Sequence, residues 1–253
     1  MTSLQLNARS DALRELIALV EGSGPTRGNR LAPDASTWLA DPEQGLTAEI
    51  ERAGGPEAGA EALARLAPST LTVIATVRSE RACWSELVRH SAAEPETCLA
   101  GLTYEPGGRV SRIVWLRVPL VASGEVDAGD RVPDGRPVLE GYFAELMTSR
   151  FREAAAHFTE DTLYSHPPYA RGGERVLFRG RNALRQGFET ERGPSPARQI
   201  ITGYWQQGGR AFVEGVVQGI PDGGSFFSIA EISRAGEIAR YVAFYSATRI
   251  PGG

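Results

Sequence analysis

The sequence contains no lysine, since all 27 of its basic residues are arginine, and its 31 acidic residues bring the net charge to -4. Without lysine the chain has no amine for a lysine Schiff base and no lysine for a phosphate-binding P-loop. A nucleic-acid surface needs an excess of positive charge, and the acidic balance argues against one. We therefore expect no nucleic-acid partner.

Cysteine and histidine are also scarce. The two cysteines, Cys83 and Cys98, lack the paired spacing of a zinc site or a redox motif, and a chain of this length needs no disulfides. The three histidines, at positions 90, 157 and 166, are not spaced as metal ligands. A serine-nucleophile elbow and a dinucleotide fingerprint are absent as well. The sequence thus predicts no metal and no cofactor.

Long apolar runs are missing too. No stretch approaches the 18 apolar residues of a membrane helix, and the first residues carry neither a basic start nor an apolar signal segment. We expect a cytoplasmic protein without a membrane partner.

What the sequence does contain is an internal repeat at about half its length. Four landmarks recur in the same order. A helical stripe at 13–20 recurs at 139–146, and the stretch 31–35 recurs at 158–162. A helix that opens with Gly59 matches one that opens with Gly180, and a glycine turn followed by a strand occurs at 108–114 and again at 236–242. The repeat predicts two tandem domains, at residues 1–121 and 138–253, joined by a Gly-, Asp- and Pro-rich linker at 122–137.

Within each half, helices come first and strands follow, which is typical of the α+β class. The predicted strands of the second half are about 198–206, 210–218, 225–233 and 238–248, with Gly208 and Gly209 as a turn. We expect each half to be a cone-shaped, curved antiparallel sheet packed with helices, and the two halves to form a pseudo-dimer. The hollow of such a cone is where a small ligand would bind.

The second half contains four characteristic stretches, at 142–146, 151–158, 161–167 and 178–184. With them, the region of about 138–247 resembles the nuclear-transport-factor-2-like superfamily, in particular the SnoaL-like polyketide cyclases and the ketosteroid isomerases. This resemblance implies the cone-shaped fold. It does not select an activity, because the superfamily includes isomerases, cyclases, dehydratases, epoxide hydrolases and binding modules.

The resemblance also implies candidate site residues. In ketosteroid isomerases the first strand ends in Asp-Pro, with the aspartate as catalytic base; here the pair is His166-Pro167. Tyr142 matches an aromatic position on the helix that carries the oxyanion-hole tyrosine, and Tyr245 matches a pocket aromatic. Ser228 falls where those enzymes carry a carboxylic acid, a difference that argues against steroid-type isomerisation. The first half matches less well, with Asp41-Pro42 out of position, and we expect a degenerate domain.

The residues themselves support a proton-transfer role for His166, because an imidazole that titrates near neutrality can take and return a proton. The period of a strand places Tyr164 on the same face, so the predicted catalytic residues are His166, Tyr142 and Tyr164. An isolated histidine can equally be a hydrogen-bonded core residue. The predicted substrate-binding residues are Tyr169, Phe212, Ser228, Tyr241 and Tyr245. An arginine cluster at 171–185 is interpreted as solvated surface.

These features lead to two hypotheses. The first is a cofactor-independent isomerase, cyclase or dehydratase that acts on a small, largely apolar, polyketide-like metabolite by general acid–base catalysis. The alternative is a non-catalytic small-molecule-binding or interaction module, which a hollow filled by its own aromatic side chains would favour. In both cases the expected partner is a small molecule, and the chain would be a monomeric pseudo-dimer or a weak homodimer.

Overall fold

The computed structural model describes residues 31–40, 51–64, 70–90, 94–107, 109–123, 132–169, 173–219, 224–246 and 249–251. The chain divides into two compact units, with the described residues up to Leu120 in unit 1 and those from Val121 onward in unit 2. The predicted helix at 13–20, the Asp41-Pro42 pair and Arg171 lie outside the described residues.

Unit 1 is a six-stranded sheet with one helix among its described residues. The elements are β1 (Leu31–Ala40), β2 (Glu51–Gly54), α1 (Pro56–Ala64), β3 (Thr70–Arg78), β4 (Ala82–His90), β5 (Glu96–Tyr104) and β6 (Val110–Pro119). The strand order is β2-β1-β6-β5-β4-β3, and all neighbours are antiparallel except β1 and β6, which are parallel.

Unit 2 has the same sheet, and more of its described residues are helical. Its helices are α2 (Arg136–Met147), α3 (Phe151–Ala156) and α4 (Arg181–Gly187), followed by a π-helical turn (Phe188–Arg192). Its strands are β7 (Phe158–His166), β8 (Val176–Arg179), β9 (Arg198–Gln207), β10 (Arg210–Gln218), β11 (Ser225–Ile232) and β12 (Ile238–Ser246), in the order β8-β7-β12-β11-β10-β9. No helix in the described part of either unit is long and apolar enough to cross a membrane.

Strands β9 to β12 confirm the four strands predicted in the second half, with Gly208 in the left-handed conformation (φ 56°) at the predicted turn. The expectation of wholly antiparallel sheets is wrong, because β7 runs parallel to β12, as β1 does to β6. Both sheets are therefore mixed. The sequence does not show this, because apolar alternation marks a strand but does not give its direction.

The two sheets carry the same irregularities in their strand pairing. In the parallel pair, the register shifts after Leu31 with Val110 in unit 1 and after Phe158 with Ile238 in unit 2, and resumes at Ser36 with Arg112 and at Leu163 with Arg240. The shift in the last antiparallel pair also recurs, between Thr103 and Tyr104 and between Glu231 and Ile232. Matching bulges are conformational details that two unrelated sheets would not share, so the units are tandem copies of one fold.

One landmark of the repeat was paired wrongly in the sequence. Gly59 lies inside α1, and the counterpart of Gly180 is Gly55. Both glycines have a positive φ, 83° at Gly55 and 88° at Gly180. Their amides donate to the carbonyls of Ala35 and Thr162, each at 2.7 Å. Only glycine adopts this conformation without strain, which explains why it opens the helix in both units.

Helix α2 covers the inner face of the unit 2 sheet. The predicted stripe is confirmed, since its four members are the buried residues of the helix: Leu139, Tyr142, Phe143 and Leu146. These side chains belong to the same core as residues of β7, β10, β11 and β12. The core therefore lies between the helices and the sheet, and aromatic rings form much of it.

Candidate active site

His166 is the last residue of β7 and lies among three tyrosines. Its ring stacks on that of Tyr164, two residues earlier, with centroids 5.9 Å apart and planes 5° apart. The rings of Tyr169 and Tyr245 are 4.7 and 5.0 Å away. Tyr164 and His166 therefore share the inner face of the sheet, as the period of the strand predicts.

The hydrogen bond of His166 fixes its tautomer. The Nδ1 atom is 2.6 Å from the carbonyl oxygen of Pro167. A carbonyl oxygen can only accept, so Nδ1 carries the hydrogen and donates it. In the neutral ring the other nitrogen, Nε2, then bears a lone pair. The imidazole is thus arranged as a base with one nitrogen anchored to the backbone.

Burial lowers the pKa of His166 to about 3, and the positive charges of Arg175 and Arg192 act in the same direction, while the Pro167 carbonyl opposes them. The sequence suggested a ring that titrates near neutrality, and this expectation is wrong. A strand-end imidazole would titrate there in water, but only 9% of this residue is exposed and the charges of two arginines act on its ring. At neutral pH it is uncharged.

Three phenols form a hydrogen-bonded chain beside His166. The hydroxyl oxygens of Tyr142 on α2 and Tyr164 on β7 are 3.1 Å apart, and Tyr169 donates to Tyr164 at 3.3 Å. Burial raises the pKa of all three, so all stay protonated. Three protons and two hydrogen bonds leave one proton without an acceptor among the described residues. This spare proton lies on Tyr142 or Tyr164, because Tyr169 donates its own.

Tyr245 on β12 and Gln199 on β9 form a second polar pair. The Nε2 atom of Gln199 donates to the Tyr245 hydroxyl at 2.9 Å. Burial raises the pKa of Tyr245 to about 12, although the Gln199 amide and the charge of Arg192 oppose the rise. The Oε1 atom of Gln199 is buried and has no partner among the described residues.

Tyr241 and Ser228 complete the inner face next to the phenol chain. The ring of Tyr241 lies 5.4 Å from that of Tyr164 and 5.7 Å from that of Tyr142. Burial raises the pKa of Tyr241, and the neighbouring Ser228 hydroxyl opposes the rise. The sequence predicted both as substrate-binding residues, and both lie on the inner face of the sheet, Ser228 in alternation with Phe226 and Ala230 of the core.

Phe212 does not join this group. On β10 its neighbours Ala211 and Val213 belong to the core beneath the helices, so Phe212, between them, points to the opposite face of the sheet. Its cross-strand partners are Ile229 and Trp205. The prediction that Phe212 contacts substrate alongside His166 is therefore wrong.

Aromatic rings fill the space around Tyr142, between helix α2 and the sheet of unit 2. Around Tyr142, the ring centroids of Phe143 and Phe158 both lie at 4.9 Å, Tyr241 lies at 5.7 Å and Phe188 at 6.1 Å. Such spacings are those of rings in direct contact. These rings, together with that of Tyr164, form the aromatic cluster of unit 2. A ligand would have to bind at the end of this cluster where His166 lies.

The arginine cluster at 171–185 is only partly solvated surface. Arg181 bridges Glu160 and Glu237 at 2.7 and 2.8 Å, and Arg179 is exposed. Arg175 is half-buried; it donates to the Ser165 hydroxyl at 2.7 Å and to the carbonyl of Ala243. Burial lowers the pKa of Arg175 to about 9. The interpretation as solvated surface is wrong for Arg175, because β7 and β12 hold its guanidinium.

Unit 1 has no counterpart of the Tyr164 and His166 side chains at the equivalent positions of its sheet. The matched strand registers place Thr37 at the position of Tyr164 and Leu39 at that of His166. Neither side chain can act as an imidazole base or a phenol donor. Among the described residues, no group of three His, Cys, Asp or Glu side chains could hold a metal ion.

Two polar residues of the site were not singled out in the sequence. Gln199 and Arg192 lie on either side of a short connection between the π-helical turn and β9. Neither belongs to a recognisable motif, and an isolated glutamine or arginine is most often a surface residue. Only the fold brings Gln199 within hydrogen-bond distance of Tyr245 and lets the charge of Arg192 lower the pKa of His166.

Comparisons with known proteins give structural neighbours only: no family model and no curated protein matches the chain. A structure named as a putative ketosteroid isomerase, from Kribbella flavida, is 20% identical and has a TM-score of 0.37, covering 48% of this chain and 84% of its own. An NTF-2-like protein of unknown function from Burkholderia xenovorans is 18% identical, with a TM-score of 0.36 and coverages of 47% and 87%. A putative polyketide cyclase from Sinorhizobium meliloti is 16% identical, with a TM-score of 0.35 and coverages of 43% and 94%. The chain is thus similar, over somewhat less than half its length, to NTF2-like, ketosteroid isomerase-like and polyketide cyclase-like proteins.

Proposed function

We propose that unit 2 holds a cofactor-independent active site that isomerises, cyclises or dehydrates a small molecule by general acid–base catalysis. The observation that carries the proposal is the state of His166. Its Nδ1–H is committed to the Pro167 carbonyl, its ring is neutral, and the protonated phenols of Tyr164, Tyr169 and Tyr245 surround it. A base and several hydrogen-bond donors thus lie together at the end of β7.

In the proposed reaction, Nε2 of His166 removes a proton from a carbon next to a carbonyl group. The electron pair of the broken C–H bond forms a C=C bond, and the carbonyl oxygen becomes an enolate oxygen that accepts a hydrogen bond from a phenol. The imidazolium then returns its proton to another carbon, which isomerises the substrate, or to a leaving hydroxyl, which dehydrates it. Because burial and nearby cations disfavour the imidazolium, it gives the proton back readily but also takes it up less readily. Hydrogen bonds from the phenols to the enolate oxygen therefore have to offset the weakness of the base.

The expected rate enhancement follows from the roles of the base and of the hydrogen-bond donor. General base catalysis contributes about 10²- to 10⁴-fold to a rate, and a hydrogen-bond donor at the enolate oxygen about 10²- to 10³-fold. Two of the similar structures are named for the isomerase and cyclase activities proposed here. The proposal depends on the His166 geometry and not on those names.

The proposal can be tested without the natural substrate. The compound 5-nitrobenzisoxazole is a small, neutral ring that opens when a base removes its one acidic C–H proton, and the phenolate product absorbs visible light. We expect ring opening by the wild-type protein to be about 10²- to 10⁴-fold faster than by the His166→Gln variant. The His90→Gln variant is the matched control, because His90 is an exposed residue of β4. Equal rates for wild type and His166→Gln would refute the role of His166 as a base.

The filled aromatic cluster favours a second candidate, a non-catalytic small-molecule-binding module. The close ring contacts around Tyr142 leave the space between α2 and the sheet occupied by the protein itself. In this case ligands would shift the NMR signals of Tyr169 and Tyr245, while no carbon acid would exchange its protons faster in the presence of wild-type protein than of His166→Gln.

We also propose that the duplicated chain is a monomeric pseudo-dimer, in which the repeat replaces a second subunit. The matching strand registers of the two units support a duplication. Sedimentation equilibrium should then give the mass of one chain, 27.2 kDa. A concentration-independent mass of twice that value would contradict the proposal.

A further inference from the structure

Gln199 carries a buried amide that uses only one of its two ends. The residue is 8% exposed, and its Nε2 atom donates to the Tyr245 hydroxyl at 2.9 Å. Its Oε1 atom, which can only accept, is buried and has no partner among the described residues. A buried polar atom without a partner is costly, and native proteins keep few of them. This oxygen indicates that a hydrogen-bond donor of a ligand belongs beside it.

The amide lies on the same face of the sheet as His166. On β9, Gln199 is paired with Val217 of β10, and Val217 belongs to the core between the helices and the sheet. Paired residues of neighbouring strands share a face, so Gln199 also lies on the inner face. Its amide is bound to Tyr245, whose ring lies 5.0 Å from that of His166. The amide oxygen and the proposed base therefore belong to one site.

The hydroxyl of Tyr245 supplies a donor at the other side of this hydrogen bond. Burial raises the pKa of Tyr245 to about 12, so the phenol keeps its proton at neutral pH. The phenol oxygen accepts from Gln199, and its own proton has no acceptor among the described residues. One hydrogen-bonded pair thus offers an unused donor and an unused acceptor.

A ligand hydroxyl can pair with both groups at once. It accepts the proton of Tyr245 and donates its own to Oε1 of Gln199, which closes a ring in which each donor meets an acceptor. Rotation of the amide by half a turn would only reverse the ring, because a hydroxyl could then accept from Nε2 and donate to the phenol oxygen. An ether or a ketone has no proton to donate and would leave Oε1 without a partner.

We propose that the ligand of this site carries a hydroxyl group that binds between Tyr245 and Gln199, while its apolar body lies against the rings beside His166. The inference rests on the proposed function, whose substrate is small and largely apolar, and adds a neutral hydroxyl to that substrate. Tyr245 and Gln199 act here as specificity residues, and His166 remains the base.

Three probes of nearly the same shape test the preference for a hydroxyl. At its para position 4-hydroxyacetophenone both donates and accepts, 4-methoxyacetophenone only accepts, and 4-methylacetophenone does neither. NMR titration gives the Kd of each, at a pH below the pKa of the hydroxyl probe so that all three are neutral. We expect wild-type protein to bind the hydroxyl probe about 10-fold or more tightly than the other two, because only this probe pairs with Oε1 of Gln199.

The Gln199→Leu variant removes the amide and nearly keeps the size of the side chain. It should bind the three probes with affinities within about twofold of one another, while its affinity for the methyl probe does not fall and so reports a folded site. Gln207→Leu is the matched control, because it makes the same change at an exposed residue of the same strand. It should keep the wild-type preference. The hydroxyl probe should also shift the NMR signals of the Gln199 side-chain amide, which are assigned by their absence in Gln199→Leu.

Three results would overturn the inference. They are no binding of 4-hydroxyacetophenone at millimolar concentration, equal affinity for the hydroxyl and methoxy probes, and an equal loss of preference in Gln207→Leu. Equal affinity would mean that water, and not a ligand, completes the ring.

The failure of this inference and that of the proposed function are distinguishable through His166→Gln. If both ideas hold, this variant keeps the hydroxyl preference and opens 5-nitrobenzisoxazole more slowly than wild type does. If only the hydroxyl preference holds, both proteins show it and open 5-nitrobenzisoxazole at the same rate. If only the proposed function holds, wild type opens 5-nitrobenzisoxazole faster and neither protein prefers the hydroxyl probe.

Discussion

Replacing His166 with glutamine should change how the stability of unit 2 depends on pH. Burial, with the help of Arg175 and Arg192, lowers the pKa of His166 to about 3 in the folded protein. The imidazole of an unfolded chain keeps its ordinary pKa of about 6.5. Between these values the unfolded state binds more protons than the native state, so native stability is fully present above about 6.5 and is lost as the pH falls.

The magnitude follows from the two pKa values. Each unit of difference corresponds to about 1.36 kcal/mol, so acidification from pH 7 to pH 5 should cost unit 2 about 2 kcal/mol through this residue alone. The loss should continue to about pH 3 and then level off. Arg175 and Arg192 are the charges that act on the ring, and the phenols of Tyr164, Tyr169 and Tyr245 lie against it. Burial raises the pKa of all three phenols, so none of them ionises in that range.

The assay is unfolding in urea at pH 7 and pH 5, followed through NMR signals of the unit 2 aromatic cluster so that unit 1 does not contribute. The fall in the free energy of unfolding should be about 2 kcal/mol larger for wild type than for His166→Gln. The control is His90→Gln, which removes an exposed histidine of unit 1 and should behave like wild type. An equal fall in wild type and His166→Gln would refute the reasoning.

Three further substitutions test other parts of the account. Tyr164→Phe removes the central phenol of the chain and should slow the opening of 5-nitrobenzisoxazole about 10²-fold or more, whereas an unchanged rate would exclude the phenols from the chemistry. Phe212→Leu lies on the other face of the sheet, so urea unfolding should show about 1–2 kcal/mol less stability while the rate of 5-nitrobenzisoxazole opening is unchanged; slower opening would contradict the assigned face. Glu231→Gln removes the carboxylate that Arg210 and Arg240 share at 2.6 and 3.1 Å, and should cost about 3–5 kcal/mol in the same experiment, whereas a loss under 1 kcal/mol would show that the buried pair contributes little.

The strands of unit 2 could be predicted from the sequence because their signals are local. Alternating apolar residues and the Gly208–Gly209 turn mark β9 and β10 within a residue of their observed ends, and the stripe of α2 gives its buried face. The direction of β7 could not be predicted, because it depends on which strand lies beside it. The place of β12 between β7 and β11 is a property of the whole sheet.

The site was predictable to the extent that strand period determines it. Tyr164 and His166 share a face because they are two residues apart, and this holds in any strand. Phe212 was misassigned because the period says which residues share a face but not which face is covered by helices. The pKa of His166 could not be foreseen either, since the period of a strand does not show that the ring is buried or that the charges of Arg175 and Arg192 act on it.

The most direct test of the central claim is a pH titration of His166 by ¹⁵N NMR, with His166→Gln used to assign the signals. The account predicts a neutral ring with the hydrogen on Nδ1 from pH 8 down to about pH 4, and a pKa of about 3. A ring that titrates near 6.5 with both tautomers populated would contradict it, because such an imidazole would be neither buried nor anchored to Pro167.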